Sequence, residues 1–496
     1  MIPFLVNAPR WLFLAALVFG PWVYGCTRPW AMLALDGILG VVILLWLAGC
    51  AVRRRRPIVP WPLAVSALIL FLQGWFMIVN VQAMYDPVYF RFIPAVQLLP
   101  FAPGAVDRQY ALPPMLDITA MLGAVCFIAD LAQRPVWRTR LWWTAALNGI
   151  LLMICGLGMK VMGIYISSSL DPTLIGSTSF AFYFYHGNAG AFINLILPLV
   201  AGLAALAFTR RDAQMQRALW LPGLLICIAS SEAALSKAGM AIGLGLLIAL
   251  TVWFVRLRLD GGGLSISRGQ MTLLIVAGVL VVAAMLSIGW YGASGRWSEL
   301  ATANGKDASV VQRLLVSQVC FHMMPDSGVW GFGPGSFFLC FPHYTAYLNG
   351  AVDGVWFYAH EDYLQAIVEW GYFGSAFLAF IFFGGIWMGW RRLRGKPLAE
   401  EDRVLLTVTL MALAGIAVHA AFDFPLQIAS LQLYTATYLG ICWGSPGFAP
   451  APERTRQRRS SASKAGFQVP PGGAVCGGGG GRGVRSMGGN GIARCG

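Results

Sequence analysis

The chain alternates long apolar stretches with short loops crowded with arginine, and no other feature limits its fold as much. Seventeen basic residues fall into five such loops: Arg53 to Arg56; Arg134, Arg138 and Arg140; Arg210, Arg211 and Arg217; Arg256, Arg258 and Arg268; Arg391, Arg392, Arg394 and Lys396. Lys and Arg beside a spanning segment resist translocation, so loops of this kind stay on the cytoplasmic side. Between them run apolar segments of about 18 to 25 residues, the length a helix needs to cross roughly 30 Å of hydrocarbon. Two such segments separate each basic loop from the next. The pattern predicts an all-α fold, a polytopic membrane helical bundle.

Composition agrees, with 58% hydrophobic and 11% charged residues among 496 and a mean hydropathy of +0.67. The formal charge of +14 does not point to nucleic acid, because the basic residues flank spans or lie in the tail rather than on one amphipathic face. Ten cysteines are scattered singly without a Cys-x-x-Cys pair, which argues against a zinc or thioredoxin-like site. Cys320 and Cys340 share the largest outer loop, where an oxidising compartment would permit a disulfide. The first apolar stretch is not followed by a small-residue cleavage site and reads as a retained helix rather than a signal peptide.

Segment length places about twelve spans, at 9–26, 31–51, 58–81, 115–133, 141–163, 189–209, 218–235, 238–256, 270–292, 364–390, 403–421 and 426–444. Both termini then face the cytoplasm. The opposite face holds loops at 82–114 and 164–188 and one long loop at about 293–363, between the ninth and tenth spans. Within it, Ala308 to Met324 has helical spacing with an apolar face, and Gly331 to Gly335 (GFGPG) forms a turn. The membrane domain is expected to cover residues 1–449. Residues 450–496, with Arg, Ser, Pro and five consecutive glycines from Gly477 to Gly481, cannot bury enough apolar surface to order and form a disordered tail.

On this topology only Arg28, Arg91, Arg108, Lys160, Lys237, Arg296, Lys306 and Arg313 oppose the positive-inside rule. Charges near membrane depth are costly and mark pathways or ligand sites, and cations gathered on one face suit an anionic group such as phosphate. Lys237, in Glu232 to Gly239 (EAALSKAG), is otherwise a snorkelling interfacial lysine. Arg313 is otherwise a solvated loop arginine, and Arg28 lies in a tight turn. His360, followed by Glu361 and Asp362, stands where the chain re-enters the membrane. An imidazole with a pKa of about 6.5 takes a proton from a hydroxyl or bears charge against a phosphate. The segment is no zinc-protease motif, since Leu364 occupies the place of a second His. GFGPG is no nucleotide loop: no strand precedes it, no GK[ST] follows, and Pro334 lacks an amide donor. His419 and Asp423, in His419 to Gln427 (HAAFDFPLQ), either line a common cavity or hydrogen-bond each other.

Four segments resemble the O-antigen ligase and polymerase family of bacterial membrane glycan transferases. They are Tyr24 to Ala31 (YGCTRPWA), Ser236 to Gly239 (SKAG, where the family has Ser-Arg-Gly), Pro325 to Phe337 (PDSGVWGFGPGSF) and Ala359 to Gly374 (AHEDYLQAIVEWGYFG, similar to its His-Asn-x-x-Leu…Glu-x-Gly signature). His419 to Pro425 is a weaker fifth, and the likeness runs from about residue 10 to 445. Lys237 for arginine and Glu361 for asparagine are departures; the first loses bidentate geometry.

The resemblance implies transfer of an undecaprenyl-diphosphate-linked glycan to a hydroxyl on lipid A core, a growing glycan or a protein, at the periplasmic face of the bacterial inner membrane. It implies no nucleotide sugar, metal or other cofactor. His360 would activate the acceptor, Arg313 and Lys237 would neutralise the diphosphate, and Arg28 and Arg296 would be weaker phosphate contacts. Glu361, Glu369, His419 and Asp423 would line the cavity. Two rivals remain: a transporter or flippase of lipid-linked saccharides, and a family member without catalysis.

Overall fold

The computed structural model describes residues 2–166, 179–209, 214–259, 308–352 and 354–450. Its helices are α1 (Ile2–Trp22), α2 (Pro29–Val52), α3 (Trp61–Val79), α4 (Arg108–Leu131), α5 (Pro135–Val161), α6 (His186–Thr209), α7 (Gln214–Ala233), α8 (Lys237–Leu259), α9 (Ala308–Ser327), α10 (Asp362–Arg394), α11 (Glu400–Ala420) and α12 (Ala429–Gly444). Nine of these are long and apolar enough to cross a membrane among the described residues. The chain is an all-α, multi-pass membrane protein.

Eleven of the twelve expected spans coincide with helices. The ninth, at 270–292, lies outside the described residues, as does the tail from 451 onward. The amphipathic stretch of the long loop is α9. One element escaped the hydropathy pattern: strands β1 (Ala83–Asp86) and β2 (Arg91–Pro94) pair as an antiparallel hairpin in the 82–114 loop. Helix α4 also starts earlier than expected. The Asp107 carboxylate accepts from the Tyr110 amide at 3.0 Å and caps it, so Pro113 and Pro114 fall inside its first turns.

Alternation of the spans puts the α1–α2, α3–α4, α5–α6, α7–α8 and α11–α12 connections at the end that carries α9. The other end is fastened by ion pairs. Arg138 grips both carboxylate oxygens of Asp402 and the Ala132 carbonyl. Arg55 pairs with Asp130, which also accepts from the Trp46 indole at 3.0 Å. These groups are spent on joining helix ends.

The most enclosed span is α6, 89% buried, packed between α7, α8 and α11. Gly190 of α6 and Gly239 of α8 stand back to back, so closely that a methyl on either would meet the other's backbone. Small residues let membrane helices approach this way. The first turn of α8 is thereby fixed beside the start of α6.

The backbone of α10 breaks at Gly371, where φ is +64°. The gap is filled by the long loop: the Phe332 amide donates to the Val368 carbonyl at 3.0 Å, Gly333 to Glu369 at 2.9 Å and Phe373 to Val329 at 3.0 Å. Gln73 of α3 donates to the carbonyls of Trp330 and Trp370. Irregular backbone at membrane depth survives when protein satisfies its polar groups. The GFGPG turn therefore splices the loop into a membrane helix.

Candidate active site

His360 immediately precedes the residue that caps α10, in a left-handed conformation (φ +55°) that costs a non-glycine residue about 1–3 kcal/mol. Its surroundings hold it there. The Glu361 carboxylate caps α10 through the Leu364 amide, and the Ala359 amide donates to Gln365 at 3.0 Å. The ring stands edge-on to Phe424 (centroids 4.6 Å apart) and Trp356 (5.3 Å). Nδ1 lies 2.9 Å from Asp423 Oδ1. With a carboxylate as partner Nδ1 carries the proton, and Nε2 is left as the basic nitrogen.

Asp423, in the α11–α12 turn, is 2% exposed. Its Oδ2 accepts from the Tyr185 hydroxyl at 2.9 Å. That hydroxyl accepts in turn from Arg313 Nη2 at 2.9 Å, while Nη1 donates to the Phe422 carbonyl at 3.0 Å. Four side chains from separate parts of the sequence thus form one hydrogen-bonded line, Arg313–Tyr185–Asp423–His360. Burial opposes charge on Asp423, yet the hydrogen bond from His360 and the neighbouring Arg313 guanidinium hold its carboxyl below the usual range. Burial and the Asp423 charge push the Tyr185 phenol up. It remains a donor.

The other expected cations lie at the same end. The Arg28 guanidinium sits 4.9 Å from the Phe184 ring, one residue before Tyr185. Lys237 opens α8 and is exposed, its turn capped by Ser236 Oγ, which accepts from the Gly239 amide at 3.0 Å. Arg296 and Lys306 lie outside the described residues. Arg108 is held by the Ile78 carbonyl, and Arg91 lies against Tyr89 and Asp86 on the hairpin.

The expectation of a hydrogen bond between His419 and Asp423 is not met. Asp423 is occupied by His360, Tyr185 and the Phe424 amide, and it meets His419 through backbone, its amide donating to the His419 carbonyl at 3.0 Å. The His419 imidazole is wholly buried, and neither ring nitrogen has a hydrogen-bond partner among the described residues. Glu361 is a helix cap, a role asparagine also fills; burial raises its pKa. Glu369 clamps the spliced loop by accepting from the Gly335 amide at 3.0 Å and from Gln365 at 3.0 Å. Cys320 and Cys340 are both free and buried, and burial pushes each thiol up to about 12.

A cavity of about 680 Å³ lies between α2, α4, α10 and α12 under the loop. Tyr358 and Asp362 border it on either side of His360 in sequence, and Leu426 and Gln427 follow Asp423. Glu369 borders the cavity; Glu361, His419 and Asp423 do not. Asp362 is held by the Leu426 amide (2.9 Å) and Gln427 (3.1 Å), which ties the start of α10 to the Asp423 turn.

Arg313, Lys237, Arg28 and His360, singled out from sequence, therefore gather at one end of the bundle, with a buried carboxylate behind the histidine. Tyr185 was missed. Its only signal was the aromatic run Phe180 to His186 in a loop of moderate size. Such a constellation can accept a proton at Nε2 and present cations to an anionic group nearby.

No curated protein matches the chain. Residues 218–379, which include Lys237, Arg313 and His360, match the family model described as O-antigen ligase, and that match supports an O-antigen ligase-like assignment.

Proposed function

We propose that the protein transfers a glycan from an undecaprenyl-diphosphate carrier to a hydroxyl acceptor, at the periplasmic face of a bacterial inner membrane. The observation that carries this reading is the His360–Asp423 pair, 2.9 Å apart and joined through Tyr185 to Arg313. His360 Nε2 takes the proton as the acceptor oxygen attacks the anomeric carbon. The bond from that carbon to the diphosphate breaks, and its electron pair leaves with the diphosphate. Arg313 spends two of its five N–H donors on Tyr185 and Phe422, and the rest remain for the departing oxygens. Lys237 and Arg28 supply further charge. A single displacement inverts the anomeric configuration.

The match to an O-antigen ligase model supports the family chemistry, and the gathering of cations at the histidine end of the bundle supports the direction of the donor. The test is gel electrophoresis of surface glycans from cells carrying the parent gene, a deletion, His360→Ala or Arg313→Ala, with each variant present in the membrane at parental level. Loss of one glycan in the deletion and both variants, with accumulation of its lipid-linked precursor, is the expected result. Glycans unchanged in the deletion would overturn the reading in favour of a transporter or a noncatalytic protein. Glycans lost only in the deletion would move the site elsewhere.

A further inference from the structure

Two unlike surroundings lie at this end of the bundle. On one side are Arg313, Lys237 and Arg28, with Tyr185 and Phe184. On the other is the 680 Å³ cavity, and among the described residues no Lys, Arg or His borders it, whereas Asp117, Asp362 and Glu369 do. Asp362 and Glu369 are consumed by backbone amides and glutamines. Asp117 is held less fully: it is 4% exposed, its side chain meets the Asp36 carboxyl of α2 and Gln432 of α12, and its Oδ1 has no hydrogen-bond partner among the described residues.

Three further oxygens around the cavity lack partners among the described residues: Thr435 Oγ1, on a residue 3% exposed, together with Ser375 Oγ and Gln432 Oε1. Buried polar atoms in native proteins are hydrogen-bonded in the great majority of cases, so these orphans around one cavity are groups that a ligand there would satisfy. These oxygens suit hydroxyl groups, each of which donates one proton and accepts another. A diphosphate or phosphate placed here would lose its water with no Lys, Arg or His on the described lining to offset its charge, and an uncompensated buried charge is expensive.

The lining also changes with depth. Tyr110, Tyr358 and Gln427 stand near the loop, the orphaned oxygens come next, and Val125, Ile381 and Leu439 lie deepest. Such a gradient matches an amphiphile with its polar end toward His360, and a volume of this size suits a drug-sized molecule. The donor does not fit, because its diphosphate stands between sugar and lipid.

We propose that this cavity seats the acceptor, and that the acceptor is a phosphate-free glycolipid whose sugar hydroxyls meet Asp117, Gln432, Thr435 and Ser375. The inference rests on the transferase reading for the word acceptor, but the ligand class is read from the cavity alone. It sets aside the phosphorylated lipid A core among the acceptors that the family chemistry leaves open.

The experiment uses the full chain in lipid nanodiscs with EDTA, so that no divalent cation bridges carboxylate and phosphate. Octyl glucoside and octyl phosphate, each carrying a diazirine, are photolysed and the labelled peptides identified. The glucoside probe should label α4 and α12, be displaced by excess octyl glucoside, and exceed the phosphate probe there at least about tenfold, the ratio given by 1.4 kcal/mol of discrimination. Asp117→Asn and the near-isosteric Thr435→Val, the second guarding against misfolding of the first, should each reduce that labelling severalfold. Equal labelling by both probes, or labelling unchanged in both variants, would overturn the proposal. A turnover arm separates the two readings: with lipid-linked donor present, product on a neutral glycolipid supports the proposal, and product on lipid A core alone overturns it while leaving the transferase reading intact. Selective labelling without product on either acceptor would keep the ligand class and sink the transferase reading.

Discussion

Asp423→Asn keeps the shape of the side chain and removes its charge, so it isolates what the carboxylate does for His360. A hydrogen bond to a charged partner contributes about 1.5–3 kcal/mol, and that range alone predicts a rate reduced about 10- to 150-fold. Geometry pushes the effect to the upper end. Tyr185 donates to one oxygen of residue 423 at 2.9 Å and His360 Nδ1 lies 2.9 Å from the other. An asparagine must keep its oxygen on Tyr185, because the phenol is already accepting from Arg313 and has its proton to give. The amide nitrogen then faces Nδ1, which must accept, and the imidazole proton moves to Nε2. The basic nitrogen is lost to the acceptor. The assay is the initial rate of glycan transfer from lipid-linked donor in proteoliposomes of purified variant, with His360→Ala as the lower limit. Asp423→Asn should fall nearly to that limit, and the deficit should not be recovered by more acceptor. A variant within about threefold of the parent, less than 0.7 kcal/mol, while His360→Ala is inactive, would refute the tautomer argument.

Three further outcomes follow from the same geometry. Tyr185→Phe removes two hydrogen bonds worth roughly 1 kcal/mol each and should slow transfer about 5- to 30-fold without unfolding the protein; a rate equal to the parent's would show that Arg313 and Asp423 act independently. Gly371→Ala puts a methyl against the Val329 carbonyl at a φ of +64° and should cost at least about 2 kcal/mol, seen as a lower midpoint of thermal unfolding in detergent; an unchanged midpoint would mean that the break in α10 is not fixed. The depressed carboxyl of Asp423 contributes stability that is fully present above the unfolded value of about 3.9 and lost as pH falls through its lower folded value. The stability difference between parent and Asp423→Asn should therefore be constant near neutrality and shrink in acid. A difference that widens in acid would contradict the assignment.

Spans were legible because hydrocarbon thickness and basic flanks leave a periodic trace along the sequence, and each described span overlaps a helix, although α1 and α4 start earlier than expected. The cations at 28, 237 and 313 and the histidine at 360 were legible for a related reason: each is out of place in its surroundings. Tyr185 gave no such signal, since an aromatic residue in an apolar loop is ordinary and its role depends on Arg313, 128 residues away. The pairing of Asp423 with His360 across 63 positions rather than with His419 was hidden likewise, because it is set by how the α11–α12 turn meets the start of α10. Asp117 and Thr435 were scattered polar residues within largely apolar helices. Only their place on one cavity gives them meaning.

The splice at Gly371 also bears on how the chain is made. Residues 329–333 are synthesised before α10, and a membrane helix enters the bilayer roughly in chain order. The segment that completes the broken helix is thus already made when residue 371 leaves the ribosome. Gln73, from a still earlier helix, is in place too. A chain that folds from its N-terminus therefore meets the interrupted helix with every partner for its freed amides and carbonyls waiting. A rearranged chain, with α10 placed ahead of the long loop, would insert it with those groups bare in lipid.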